Sequence, residues 1–392
     1  MEQRNIISKN VADRYNIFGG DANVTWEIRV LVFLNCDIGR QYRMTITKFS
    51  KRAKDIIELK KSYFDDDIDL WKKNIRLSQI YREQPKRKKC KNCDCLINEA
   101  PFFTKQDIDY FLCKNCMHLN GGYQDTIEYA RQIYLDENNN YAKTYASLEQ
   151  DSWKERVKAI YQPKADFLFY CLKEHGVRYK NLYYLDVGAG SGYFVQAVAN
   201  VCGYDHVIGY EPSHTQVRLA NKMMGKEIVK IMDMSDLSTI LQRCNSEVVS
   251  FIGVLEHLIE PRNALKIIAD NKKIKYMFVS LPLFSFSVFF ELVNQDRFNR
   301  QLSEGHTHLY SKESIDYFCK ELGFNILGEW YFGTDIVDLF RFNYIKMKQL
   351  NVSDSAIVYF RQQIIPIIDQ LQSTMDKTKF CSEVHLLIKT NG

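Results

Sequence analysis

Tyr183-Tyr184-Leu185-Asp186-Val187-Gly188-Ala189-Gly190-Ser191-Gly192-Tyr193-Phe194-Val195 is the stretch whose reading decides the fold. An apolar run ends in Asp186, and glycines follow at alternate positions. This pattern predicts a buried strand that enters a tight turn and then a helix. Glycine admits unusual φ/ψ and lets a ligand come close to the backbone. A ligand can then lie on the turn, at the carboxyl edge of a parallel sheet.

No Gly-Lys-Ser/Thr follows, so the turn is not a phosphate loop. The glycines run G-x-G-x-G, one residue tighter than the dinucleotide fingerprint. Alone, such a turn is weak evidence, because a plain strand-to-helix connection can carry the same glycines. The next strand argues for a ligand. His206-Val207-Ile208-Gly209-Tyr210-Glu211-Pro212 is a second apolar run ending in an acid, with Glu211 19 residues past Gly192. A helix and a returning strand cover that distance. An acid at the strand tip accepts hydrogen bonds from both ribose hydroxyls of a nucleoside.

With these two motifs the chain resembles the class I S-adenosylmethionine-dependent methyltransferases. Residues 185–192 are similar to their first motif and 209–213 to their second. Residues 230–237 resemble the loop after strand 3, where an acid meets the adenine amino group; Asp233 is preferred to Asp236 because it sits nearer the strand end. Residues 251–258 (Phe-Ile-Gly-Val-Leu-Glu-His-Leu) resemble strand 4 and the active-site loop. The resemblance runs from about residue 151 to the last residue. It implies an α/β, Rossmann-like domain with a seven-stranded mixed sheet in the order 3-2-1-4-5-7-6. The strands are expected at 182–187, 206–211, 228–232, 247–252, 275–281, 324–331 and 383–389. It also implies that S-adenosylmethionine is held by Asp186, Gly188, Ala189, Gly190, Gly192, Tyr193, Glu211, Pro212, Asp233, Met234 and Gly253. Stretches 283–310 and 335–379 exceed ordinary connections and are expected to build substrate lids.

Cys90-Lys91-Asn92-Cys93 and Cys113-Lys114-Asn115-Cys116 are two C-x2-C knuckles with 19 residues between them. This is the spacing of a closed, structural zinc site with four thiolates. Cys95 and His118 are spare ligands, but knuckle geometry favours the paired cysteines. A redox reading would need one pair between a strand and a helix. A zinc ribbon ahead of a methyltransferase domain, with Leu255-Glu256-His257, resembles the bacterial sugar methyltransferases. These include enzymes that methylate a ring carbon of a deoxysugar nucleotide.

The chain of 392 residues divides, on this reading, into an N-terminal accessory segment (1–85), the ribbon (86–120), a helical bridge (121–150) and the methyltransferase domain (151–392). Within the accessory segment a strand is expected at 23–34, helices at 50–61 and 71–81, and an acidic turn at Asp65–Asp67. Its role is open among an accessory domain, a dimerisation element and an acceptor-recognition cap. The bridge should hold a helix at 125–134 and a turn at 137–140. A helix at 152–173 is expected to break at Pro163. Its Tyr161, Phe167, Phe169 and Tyr170 read as core. Six scattered cysteines (36, 171, 202, 244, 319, 381) fit reduced thiols, and no run of 18 apolar residues or apolar N-terminal signal core exists. A cytoplasmic protein without a membrane span is expected. The formal net charge of +5 suits an anionic substrate such as a nucleotide-sugar. Lys86-Arg87-Lys88-Lys89 invites a nucleic-acid reading, but the run lacks the interleaved aromatics of single-strand binders.

Methyl transfer needs an oriented acceptor and a proton acceptor near the sulfonium methyl. Glu256 and His257, after strand 4, are the first candidates; Glu256 alternatively starts the next helix. His306 and His308, in Glu304-Gly-His-Thr-His, are the second, and would point the same way in an extended segment. His308 looks better placed, because relatives often carry one histidine just before the following helix. No third ligand is visible at metal spacing, so a catalytic metal is not expected. Carbon methylation would suit Glu256/His257, and oxygen methylation His306/His308. A sugar acceptor leads, a nucleic acid is the alternative, and a non-catalytic binding module is third.

Overall fold

The computed structural model describes residues 25–35, 39–52, 68–135, 150–302 and 305–392. Cys36, the expected helix beyond residue 52, Asp65–Asp67, the turn at 137–140 and Glu304 lie outside the described residues.

In chain order the strands are β1 (Thr25–Asn35), β2 (Gly39–Phe49), β3 (Phe103–Lys105), β4 (Ile108–Leu112), β5 (Leu119–Gly121), β6 (Tyr184–Val187), β7 (Val207–Glu211), β8 (Val229–Ile231), β9 (Val248–Ile252), β10 (Tyr276–Pro282), β11 (His308–Leu309), β12 (Asn325–Phe332) and β13 (Glu383–Lys389). The large sheet runs β8-β7-β6-β9-β10-β13-β12-β2-β1. Its first seven members reproduce the expected order. β6, β9 and β10 are apolar on both faces because helices cover both. Trp153, Phe167 and Phe194 pack on one side, and Leu265, Ile268 and Phe318 on the other.

The sheet has nine strands where seven were expected. β1 and β2 form an antiparallel hairpin, and β2 lies parallel to β12, with Ile46 opposite Gly328 and Phe49 opposite Tyr331. The Thr47 hydroxyl donates to Glu329 Oε1 at 2.8 Å. Part of the N-terminal segment thus covers an edge that would otherwise be open. It continues the sheet rather than standing apart from it.

The helix around Pro163 is widened, not broken. It runs as Gln150–Arg156, a π turn Val157–Tyr161, and Gln162–Glu174. In a regular helix the Pro163 ring would strike the carbonyl four residues back. In the wider turn the Gln162 N–H reaches the Val157 carbonyl, five residues back. Stretch 335–379 forms the helices Asp335–Gln349, Asp354–Ile364 and Ile368–Lys377. No described helix is long and apolar enough to cross a membrane.

β3, β4, β5 and β11 form the second sheet, which joins the ribbon to the domain: His308 pairs with Asn120 and Leu309 with Leu119. The buried Lys105 ammonium donates to Glu291 at 2.5 Å and to the Leu302 carbonyl at 2.6 Å, locking the ribbon to stretch 283–310.

Candidate active site

A cavity of about 340 Å³ opens at the carboxyl ends of β6, β7 and β9. Asp186, Gly188, Ala189, Gly190, Tyr193, Glu211, Pro212, Met234, Gly253 and His257 line it. At Gly188 (φ +66°) a Cβ would come within 2.6 Å of Val254 Cγ2, so the turn cannot carry a side chain there. Gly190 (φ +52°) is the opposite case: its added Cβ would meet open space. Both need the left-handed backbone that glycine adopts freely.

Glu211 is buried, and each carboxylate oxygen accepts one backbone N–H at 2.9 Å, from Gly190 and from Ser213. A carboxylate offers about four lone-pair sites, so capacity remains for a ligand's hydroxyls. Asp186 accepts from the Ser250 hydroxyl at 2.6 Å. Burial raises its carboxyl most, Ser250 pulls it back, Glu211 raises it and Lys164 lowers it, leaving it at about 7. Tyr193 is stacked between Tyr161 (ring centroids 5.0 Å apart) and Trp153 (5.7 Å). Trp153 Nε1 also donates to the Ser191 carbonyl at 2.9 Å, pinning the glycine turn. Of the aromatics read as core, Phe167 and Phe169 are buried, but Tyr161 lines the cavity.

Two expected cofactor residues are elsewhere. Gly192 caps the helix Tyr193–Cys202. Asp233 lines an adjoining cavity of about 420 Å³ that also contains Asp236. Its carboxylate caps the turn Met234–Asp236, accepting from the Ser235 hydroxyl at 2.6 Å and N–H at 2.9 Å. Those bonds, with Arg131 3.7 Å away, hold the carboxyl below its usual range.

The opposite wall carries His257. The Tyr134 hydroxyl lies 2.6 Å from its Nδ1. The His306 ring lies tilted against it with centroids 4.7 Å apart, and Glu256 Oε1 lies 4.0 Å from His257 Nε2. Burial, then His306 and Lys91, keep the His257 imidazole well below its usual pKa, so it is neutral near pH 7. Glu256 is buried, its carboxyl pushed up to about 8 chiefly by loss of solvent. His306 lies beside these two residues although nearly 50 positions separate it from them in the chain. The absence of a third ligand-type residue, expected from spacing, does not hold.

His308 is not at the cavity. It is fully buried, with Nδ1 2.8 Å from His118 Nε2, at the seam between ribbon and domain. Alternation in an extended segment would put it on the side of His306, but β11 ends after two residues and His306 lies before it. No described residue of 283–310 or 335–379 lines the cavity. Tyr134 and Lys164 escaped the sequence reasoning. Lys164 donates to Ser280 at 3.2 Å and interacts with Asp186 and Glu256.

The ribbon braces this wall from behind. Lys91 donates to Asp125 at 2.5 Å and to the Leu258 carbonyl at 2.7 Å. Arg87 also pairs with Asp125 (2.9 Å), which accepts from Thr307 Oγ1 at 2.6 Å. Lys86 lies 3.9 Å from the centre of the Tyr123 ring. Of the basic run only Arg87 is thus engaged inside the protein; Lys86, Lys88 and Lys89 are exposed. Cys90, Cys93, Cys113 and Cys116 are buried with their sulfurs within 4.8 Å of one another. The Cys90–Cys116 and Cys93–Cys113 separations are both 3.6 Å. Thiolates around a tetrahedral ion at its usual bond length stand roughly 3.8 Å apart, so the set fits one. His118 faces His308 and Cys95 is exposed.

Residues 153–329, somewhat under half of the chain, match the protein family described as "Methyltransferase domain". No curated protein matches the chain. Among solved structures, similarity is found to the magnesium protoporphyrin IX methyltransferase of Synechocystis PCC 6803 with bound SAH: 13% identity, 68% of this chain and 100% of that one, TM-score 0.41. A SAM-dependent methyltransferase from Archaeoglobus fulgidus gives 15% identity, 58% and 94% coverage, and a TM-score of 0.34. The [4+2]-cyclase SpnF gives 14%, 53% and 74%, and 0.32. At these scores none of the three bears on the substrate. The strand order, the glycine turn at the end of β6 and the family match over 153–329 identify this part of the chain as a class I S-adenosylmethionine-dependent methyltransferase domain.

Proposed function

We propose that the protein transfers the methyl group of S-adenosylmethionine to a sugar, either nucleotide-linked or a precursor of a surface glycan. The observation that carries this reading is one cavity with two unlike walls: the glycine turn with Glu211 on one, and His257 backed by Glu256 and His306 on the other. The cofactor supplies an activated methyl on a sulfonium. Glu211 would accept from the ribose hydroxyls, the turn at 188–190 would take the cofactor's close approach, and Pro212 and Met234 would flank its base. Glu256, His257 or His306 would take the acceptor's proton. The choice of a sugar rests on the pairing of a four-cysteine ribbon with Leu255-Glu256-His257, similar to bacterial sugar methyltransferases. The four cysteines would hold a structural Zn²⁺, and the spacing of their sulfurs supports this.

Labelled S-adenosylmethionine and a panel of nucleotide-sugars test the reading, with product mass and proton NMR locating the methyl. A labelled sugar is expected. Label on RNA alone, with binding that falls steeply with salt, would replace the sugar reading by the nucleic-acid one.

A further inference from the structure

Behind Gly253, three ligand-type side chains converge from two separate segments. Glu256, His257 and His306 each offer one donor atom, and these atoms lie within 4.8 Å of one another. Glu256 Oε2 is buried and has no hydrogen-bond partner. A buried carboxylate oxygen in that state calls for a proton or a cation. The two imidazoles are oriented by their outer nitrogens. His306 Nδ1 donates to the Gln301 carbonyl at 2.7 Å, which fixes Nε2 as its ligating atom. His257 Nδ1 is held at 2.6 Å by Tyr134, which turns Nε2 towards Glu256. With a cation on His257 Nε2 the proton of the neutral ring sits on Nδ1, whose N–H donates to the Tyr134 oxygen. Lys91, a cation near the histidines, is neutralised by Asp125 at 2.5 Å.

Two imidazole nitrogens and one carboxylate form a donor set that suits divalent first-row metals and leaves coordination positions open. We propose that Glu256, His257 and His306 bind a divalent cation of this class, whose open positions take two neighbouring oxygens of the acceptor, as in a vicinal diol or a hydroxyketone. The cation supplies Lewis acidity that eases loss of the acceptor's proton to water. With it bound, the three residues hold metal rather than taking the proton themselves. The inference rests on the methyltransferase reading only in calling this wall the acceptor side.

Mn²⁺, followed by loss of its free electron-paramagnetic signal, probes the full chain without cofactor; a hard cation of this kind leaves thiolates alone. One equivalent is expected to bind, at least about tenfold more weakly in His306→Gln and in Glu256→Gln, as loss of one of three ligands requires. S-adenosylmethionine affinity, measured separately by calorimetry, should stay unchanged in both variants. Co²⁺ absorption of the wild-type chain is the second measurement. Weak visible bands of a nitrogen–oxygen site should appear beside the intense thiolate charge-transfer bands. Thiolate bands alone, no Mn²⁺ bound, or equal Mn²⁺ affinity in the variants would overturn the proposal. A chain that takes Mn²⁺ but not S-adenosylmethionine would instead sink the methyltransferase reading and leave the cation site standing.

Discussion

The two walls of the cavity are built from different material. One is backbone: a single turn, 186–192, with its amide at Gly190 tied to Glu211 and its amide at Ala189 tied to the Tyr210 carbonyl. The other is side chains: Tyr134 and His257 line it, and Glu256 and His306 pack behind His257. They are kept in place by a buried ionic network that reaches into the ribbon. The first wall takes its shape from local φ/ψ and adjacent strands. The second depends on contacts between stretches far apart in the chain.

Removing the brace should give the largest effect. Asp125→Ala leaves Lys91 and Arg87 buried without their carboxylate, which should cost about 3–5 kcal/mol of stability in chemical denaturation. Because the cofactor wall is separately built, S-adenosylmethionine affinity should change by no more than about twofold. A matching collapse of cofactor binding would show that the walls are one unit. The reverse test is Glu211→Ala. Loss of a buried acceptor should weaken the cofactor by about 2–3 kcal/mol, roughly a hundredfold in Kd by calorimetry, with the ribbon's metal content intact. Unchanged affinity would mean that the seat lies elsewhere.

The smallest effect is a pH dependence confined to the backbone wall. Asp186 sits at about 7 in the free protein, above its usual 3.8. The native state thus holds a proton that the unfolded chain has lost, so this residue's contribution makes stability fall as pH rises between these values. A positively charged cofactor beside Asp186 favours the ionised form. Its affinity should therefore rise with pH through about 7, by at most about tenfold per unit, and Asp186→Asn should flatten the curve. An equally steep curve in the variant would assign the proton to another group.

The difference between the walls also explains what could be read beforehand. The turn at 186–192, Glu211 and the paired cysteines are local patterns, and local patterns survive in a one-dimensional text. The order of the seven domain strands followed from the family resemblance that the motifs carry, not from the motifs themselves. The partnership of β2 with β12 did not, because its contacts span about 280 residues and no motif marks them. Tyr134, and the meeting of His306 with His257, were hidden for the same reason: both are contacts between stretches far apart in the chain. His308, preferred because relatives often carry one histidine just before the following helix, is instead buried at the seam, while His306 packs against His257. Asp233 was legible as a carboxylate near a strand end, but its capping of the turn Met234–Asp236 was not.

The π turn at Val157–Tyr161 sets a phase. Each helical residue advances the side chains by about 100°. Deleting one residue there would rewind the coil to regular pitch and swing every downstream side chain by that angle. Lys164 would leave Ser280, and the Pro163 ring would again face a carbonyl. Chain length in this helix is consequently as constrained as residue identity: related sequences should exchange side chains here far more readily than they gain or lose a position.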